Sequence, residues 1–287
     1  MAASDRWKMG RPTSGGDLPG RQRERILLWI LLFLGLRTLL PLAVFLPRPV
    51  AIPAALLLAM LVALWGPRVA AACSLPVHWG LILFILFGAC SFAVAGVLPG
   101  ATTPHAGILL HAFSDLFLIA AAIALGQALA ALFREPNLLV PAAIAAAVID
   151  YWGVYHGTTR AVIEQHSEWV PKLSVHVPVP TAPGLPDLGL GIGLGDFVFL
   201  TLFLACARRF GLRERRTFWL SFLFLVSAMA VVLLFDRNVP ALVPMSAAFL
   251  LANVGRFRFQ QSELRAMLYA AVIVAVVVGL VLVFRYG

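Results

Sequence analysis

Long apolar stretches joined by short polar loops decide what this chain can become. They run at about 26–46, 51–66, 79–99, 107–133, 138–157, 189–207, 217–235, 239–254 and 266–285. Most approach the roughly 20 residues that a helix needs to cross the hydrocarbon core of a bilayer. The second and eighth are short and carry prolines, Pro53 in one and Pro240 and Pro244 in the other. The reading is an all-α polytopic membrane protein of about nine transmembrane helices. Composition agrees: 61% of residues are hydrophobic and 12% charged, and the mean hydropathy is +0.94. A soluble chain averages about 45–50% apolar and about 25% charged.

Charge sets the orientation. Residues 1–25 read as a disordered basic tail, rich in Gly, Pro, Arg and Ser and without periodicity. Counting Lys and Arg in alternate loops puts sixteen of the 22 on the amino-terminal side, including Arg208, Arg209, Arg213, Arg215 and Arg216. Five lie opposite, and Arg37 falls inside the first segment. Cytoplasmic loops carry such an excess, so the amino terminus is expected inside, with the 158–188 loop outside. The net charge of +9 is thereby explained by topology, without nucleic acid as a partner. The chain divides into the tail 1–25, amino-terminal helices over 26–137, a central region 138–255 holding the 158–188 loop, and a last helix within 256–287. The first apolar run follows a long polar stretch and is long enough to span, so no cleavable signal peptide is expected. Cys73, Cys90 and Cys206 lack CxxC spacing and read as small packing residues. Trp29, Trp65, Trp79, Trp152 and Trp219 lie near segment ends and fit an interfacial aromatic belt. Ala120–Ala122 and Ala142–Ala147 read as sites of close helix packing.

Two carboxylates stand out. Asp196 follows Gly193-Leu194-Gly195 in an apolar segment opened by alternating glycines, and Asp150 ends the segment before it. A charged side chain at membrane depth costs roughly 2.5–3.5 kcal/mol even on the lenient insertion scale, which makes it a functional-site hypothesis by default. Glycine lets another backbone approach and lets the chain bend or unwind. Two such aspartates can share one proton. The ionised member would take a proton from water, and the protonated member would polarise a peptide carbonyl for attack. That chemistry needs no metal and no cofactor. Pro240 and Pro244 weaken backbone bonding at the start of the eighth segment, where irregular backbone is tolerated if it lines a cavity.

These elements, in this order, resemble the GxGD intramembrane aspartyl proteases, the family of presenilin, signal peptide peptidase and their prokaryotic homologues. Gly193-Leu194-Gly195-Asp196 matches the GxGD motif, and the following Phe197 is closest to presenilin. Pro240, Ala241 and Leu242 match the Pro-Ala-Leu motif. At the first aspartate the family usually has Tyr-Asp, whereas Ile149 precedes Asp150 here. Downstream, Asp150-Tyr-Trp-Gly-Val-Tyr-His-Gly-Thr-Thr-Arg160 looks like the corresponding segment of archaeal presenilin homologues. The resemblance covers roughly 107–255. In the family the three motifs occupy helices six, seven and nine; here they fall on segments five, six and eight, with an extra segment after them. The resemblance implies a presenilin-like fold, Asp150 and Asp196 as the catalytic dyad, and an active-site setting made by Gly193, Leu194, Gly195, Pro240, Ala241 and Leu242. It implies hydrolysis of peptide bonds within single-span transmembrane protein substrates. The short, loop-poor, Ala/Leu/Arg-rich chain suggests a prokaryotic cell membrane, so the lipid bilayer is the other partner.

The 158–188 loop carries Val175, Val177 and Val179, whose alternation signals a strand confined to an edge by Pro178 and Pro180, while the same residues read equally as an extended Pro-rich loop. By the same resemblance this strand would pair with an unwound substrate. Asp115 and His111 lie one turn apart in the fourth segment; with Arg37 they read as polar contacts between helices or as a proton relay. Asp236-Arg237 reads as an interfacial pair, and His156 and His176 show no metal-ligand spacing. The competing class is a proton- or cation-coupled transporter, which also uses intramembrane acids and broken helices. Its internal repeat is not seen: the amino-terminal half has no counterpart of Gly-Leu-Gly-Asp or Pro-Ala-Leu.

Overall fold

Eight of the nine apolar segments each become one helix. The computed structural model describes residues 19–40, 48–98, 103–156, 173–176, 191–235 and 239–257; the ninth segment, 266–285, and the Asp236-Arg237 pair lie outside them. In chain order the helices are α1 (Pro19–Leu39), α2 (Arg48–Ala70), α3 (Val77–Val97), α4 (Pro104–Leu132), α5 (Leu139–His156), α6 (Leu194–Arg209), α7 (Glu214–Phe235) and α8 (Leu242–Ala252). A short 3-10 turn, Pro136–Leu138, leads into α5. Helix α1 begins at Pro19, so residues 19–25, which read as tail, form its first turns.

Five stretches are long and apolar enough to cross a membrane: Pro53–Ala70, Val77–Val97, Ala106–Leu132, Pro136–Tyr155 and Glu214–Phe235. The chain is therefore an all-α membrane protein, with five such spans rather than nine among the described residues. The shortfall has visible causes. Arg21, Arg23, Glu24 and Arg25 crowd the first turns of α1, while α6 and α8 have only 16 and 11 residues. Large apolar side chains such as Leu31, Ile85 and Leu234 are exposed, as expected of helices whose outer faces meet lipid.

The core forms around α6, from Phe197 to Ala207, nearly all of it buried. Helix α4 lies along it. Gly126 makes that approach possible: a Cβ there would meet the Val198 carbonyl oxygen at 2.5 Å and the Thr201 Cβ at 2.7 Å. Ala121 and Ala122 are buried in α4, and Ala143 and Ala146 in α5, as the close-packing reading expects. On its other side α4 packs on α3, where Gly80 admits Ala128. Thr103 caps α4, accepting the Ala106 N–H, and Pro104 opens its first turn. Helix α6 stops at Phe210, and Gly211 follows at φ +65°, a left-handed turn that a residue with a Cβ rarely adopts.

The aromatic-belt reading fails for Trp29. Its indole is buried against Gly66 of α2 and donates to the Val62 carbonyl at 2.8 Å. Trp29 therefore joins α1 to α2. Trp79 and Trp219 remain exposed.

Before α6 the chain is extended. Strand β1 (Ser174–His176) pairs antiparallel with β2 (Gly191–Gly193), with Ser174 opposite Gly193, Val175 opposite Ile192 and His176 opposite Gly191. The Leu194 N–H donates to the Leu173 carbonyl at 3.0 Å, carrying the ladder into the first residue of α6. Val175 and Ile192 share the buried face.

Candidate functional site

The two aspartates sit at opposite kinds of helix end. Asp150 lies in the last turns of α5, while Asp196 lies in the first turn of α6. Glycine at 191 and 193 keeps the chain before Asp196 extended and thin, and α6 starts only at Leu194. The carboxylate thus sits in the first turn of a helix. Its Oδ2 turns back and accepts the Gly193 N–H at 3.1 Å. This is half of a capping box, since glycine has no side chain with which to reciprocate.

Asp150 has an equivalent partner. Helix α8 begins at Leu242, immediately after Pro240-Ala241, and the N–H of its first residue has no acceptor within the helix. The Asp150 Oδ2 accepts it at 2.8 Å. The irregularity expected at the proline motif thus takes the form of an N–H directed at a carboxylate. Pro244 falls in the first turn of α8, where a missing N–H breaks no helical bond. Helix α8 packs against α5 on one side and touches α6 on another. Both carboxylates are half-buried.

Each carboxylate therefore meets the N-terminal end of a short helix, where unpaired N–H groups and the helix dipole favour negative charge. The structure joins Asp150 to Leu242 and Asp196 to Gly193. Pro240 is buried and Ala241 packs on the core. The remaining motif residues differ in role. Leu194 packs on the core. Gly195 is exposed, and a Cβ built there meets nothing within 4 Å, so close packing does not require glycine at that position. Ile149, which precedes Asp150, is 70% exposed.

Of the three valines assigned to the loop strand, Val175 lies in β1, while Val177 and Val179 fall outside the described residues. The strand is real where it is described, but its partner is the glycine strand β2. Arg37 and Asp115 form a buried ion pair between α1 and α4, joined by a group that sequence reading had placed elsewhere, His176. Arg37 donates to the His176 carbonyl. The Asp115 Oδ1 lies 3.4 Å from the His176 N–H and 3.3 Å from its Nδ1. The His111 ring packs edge-on against that of His176 at 5.6 Å. Beside them is a recess of about 10 Å³, room for about one water. Phe33, Arg37, Val175, His176 and Ile192 are among the residues lining it, and neither aspartate is.

Compared with protein-family models, curated proteins and solved structures, the chain matches none of them. The family resemblance rests on the three motifs and their order.

Proposed function

We propose that this protein is an intramembrane aspartyl endopeptidase of the GxGD type, with Asp150 and Asp196 as its dyad. The observation that supports this best is the pairing of each acid with a backbone N–H from the motifs: Asp150 with Leu242 and Asp196 with Gly193. Each N–H fixes one oxygen of its carboxylate, leaving the other to face a water or a substrate carbonyl. One aspartate, ionised, takes a proton from water; its partner, protonated, donates to the scissile carbonyl, and the proton roles reverse as the amine leaves. Gly191 and Gly193 provide a thin, extended backbone beside Asp196.

The substrates on this reading are single-span transmembrane proteins, whose helix must unwind before water can reach a peptide bond. An unwound segment would add to the ladder as a further strand. In an antiparallel ladder alternate residues turn their N–H and C=O outward. Those of His176 are engaged by Asp115 and Arg37, so the incoming strand would use the β2 edge at Gly191. In the full chain α1, α6 and α8 would complete a presenilin-like bundle of about nine helices, with the amino terminus in the cytoplasm of a prokaryotic cell.

The test uses purified protein in detergent with a generic single-span helical substrate, reading products by mass spectrometry for wild type, Asp150→Ala and Asp196→Ala. Cutting within the apolar span that each alanine abolishes is the expected result. Mutants that cut like wild type would remove the dyad. If nothing cuts, proton flux in proteoliposomes becomes the measurement, and the transporter reading replaces this one.

A further inference from the structure

We infer that Arg37 and Asp115 are positioning residues for Asp196: they hold the β1–β2 ladder to the helix bundle, and the ladder holds the aspartate. The inference rests on the protease reading for its consequence, but its geometry stands alone. Arg37 is 8% exposed and Asp115 2%. A buried ion pair recovers its desolvation cost only with good geometry and further hydrogen bonds, and apolar residues of similar volume often serve stability as well. The further bonds of this pair converge on one residue. Arg37 donates to the His176 carbonyl, and Asp115 faces both the N–H and the ring of the same histidine. The two backbone groups are those that the β1 register turns away from β2, so the clamp holds the strand without disturbing its pairing.

From there the links are short. β1 pairs with β2 through Val175 and Ile192, the Leu194 N–H reaches the Leu173 carbonyl, and the Gly193 N–H reaches the Asp196 carboxylate. Two strands of three residues are marginal by themselves. Their anchorage comes from the apolar contacts of Val175 and Ile192 and from this ion pair. Releasing the pair frees β1 and lets Gly193 and the start of α6 wander, while the interior of α6, packed against α4, stays in place. A charged pair on α1 and α4 thereby sets the aim of an acid on α6.

The experiment uses the full chain with Cys73, Cys90 and Cys206 replaced by alanine and Val175→Cys as a reporter. Val175 is 1% exposed, so its replacement thiol is protected while β1 is seated. Maleimide labelling rate, thermal midpoint and kcat on the single-span substrate are measured for this parent and for Arg37→Met/Asp115→Leu. We expect a midpoint at or above the parent's, labelling at least ten-fold faster, and kcat at least ten-fold lower. Asp115→Glu should recover part of both losses. A double variant that labels at the parent's rate, or that labels faster yet keeps the parent's kcat, overturns the inference. If the double variant does not fold, His176→Pro decides in its place: it deletes the ring and the outward N–H while leaving the ladder bonds, as an edge strand tolerates. The Arg37 bond to the residue-176 carbonyl survives in that variant, so parental labelling and kcat there overturn the part of the clamp assigned to Asp115. If the parent itself cuts no substrate, the protease reading falls, and the labelling rates still decide whether Arg37 and Asp115 hold the strand.

Discussion

Replacing Gly126 with alanine should loosen the contact that carries Asp196, whereas the same change at Gly88 should tighten the protein. At Gly126 a new methyl group would stand 2.5 Å from a backbone oxygen of α6 and 2.7 Å from the Thr201 Cβ, where ordinary contact begins at 3.4 Å. Neither obstacle can swing aside, so α4 and α6 must separate by roughly 0.7–0.9 Å, a gap that forfeits a quarter to a half of each contact's dispersion energy. Overpacking of this kind costs about 1–3 kcal/mol, offset by about 0.5–1 kcal/mol from replacing a helical glycine. Taking the middle of each range, the net loss is about 1 kcal/mol, or roughly 2–4 °C in melting temperature for a chain of this size. Gly88, in the middle of α3, has nothing within 4 Å of its would-be Cβ. Alanine there gains the helix term alone, a rise of roughly 1–4 °C. Cys206 supplies the assay. Its side chain is buried in α6, so in a background of Cys73→Ser and Cys90→Ser a maleimide dye reports the unfolding of this region on heating in detergent. Equal midpoints for Gly126→Ala and wild type, or a Gly88→Ala that melts as early as Gly126→Ala, would refute the packing argument.

Two further substitutions test the same core. Trp29→Ala should cost about 3–5 kcal/mol, the usual range for emptying a buried aromatic site, because its ring fills the space above Gly66; Trp79→Ala, at an exposed position, should leave the thiol-labelling midpoint nearly unchanged. Asn253, fully buried, accepts the Arg213 N–H and donates to Thr217 Oγ1 and the Phe249 carbonyl. Asn253→Ala strands these partners at about 1–3 kcal/mol for a buried polar group, and an unchanged midpoint would show that α6, α7 and α8 do not meet through this side chain.

Local chemistry was legible in the sequence; partnership was not. Apolar run length placed eight helices, because continuous hydrophobicity is a property of consecutive residues. The aspartates announced themselves through the cost of a charge in an apolar setting, and Pro240 marked the irregular start of α8. What escaped were pairings between distant parts of the chain. The alternation around Val175 signals a strand but cannot say that its neighbour is Gly191–Gly193. The glycines suggested unwinding, which occurs, and crowding around Gly195, which does not. Arg37 and Asp115 were suspect as a pair, yet nothing in composition or spacing ties them to His176, which belongs to a loop 61 residues beyond Asp115. Trp29 misled because a tryptophan near a segment end suits an interface as well as a helix junction, and only the glycine facing it in α2 decides.

If the protein is the protease proposed above, the short helices make a final prediction about where cutting should occur. The C-terminal ends of α6 and α8 are tied to one level, since Arg213 just after α6 donates its N–H to Asn253 at the end of α8. From that level α6 rises about 13 residues to Asp196, about 20 Å, and α8 rises about 11 residues to Leu242, about 17 Å. The two climbs nearly match, so the start of α6, with Asp196, and the start of α8, whose Leu242 N–H holds Asp150, stand at similar heights above it. On the charge reading of the sequence, Arg208, Arg209, Arg213, Arg215 and Arg216 would put this level at a membrane surface. The acids then lie past the middle of a hydrocarbon core about 30 Å thick. A substrate helix entering with its basic flank on the same side should be cut in the far half of its span, roughly 12–14 residues from that flank if it is helical up to the site. Moving the flank by four residues with inserted leucines should move the cut by about four residues in the same direction, read as a mass shift of the product. A cut that stays with the substrate's own sequence, or that falls in the near third of the span, would mean that the depth of the aspartates does not choose the bond.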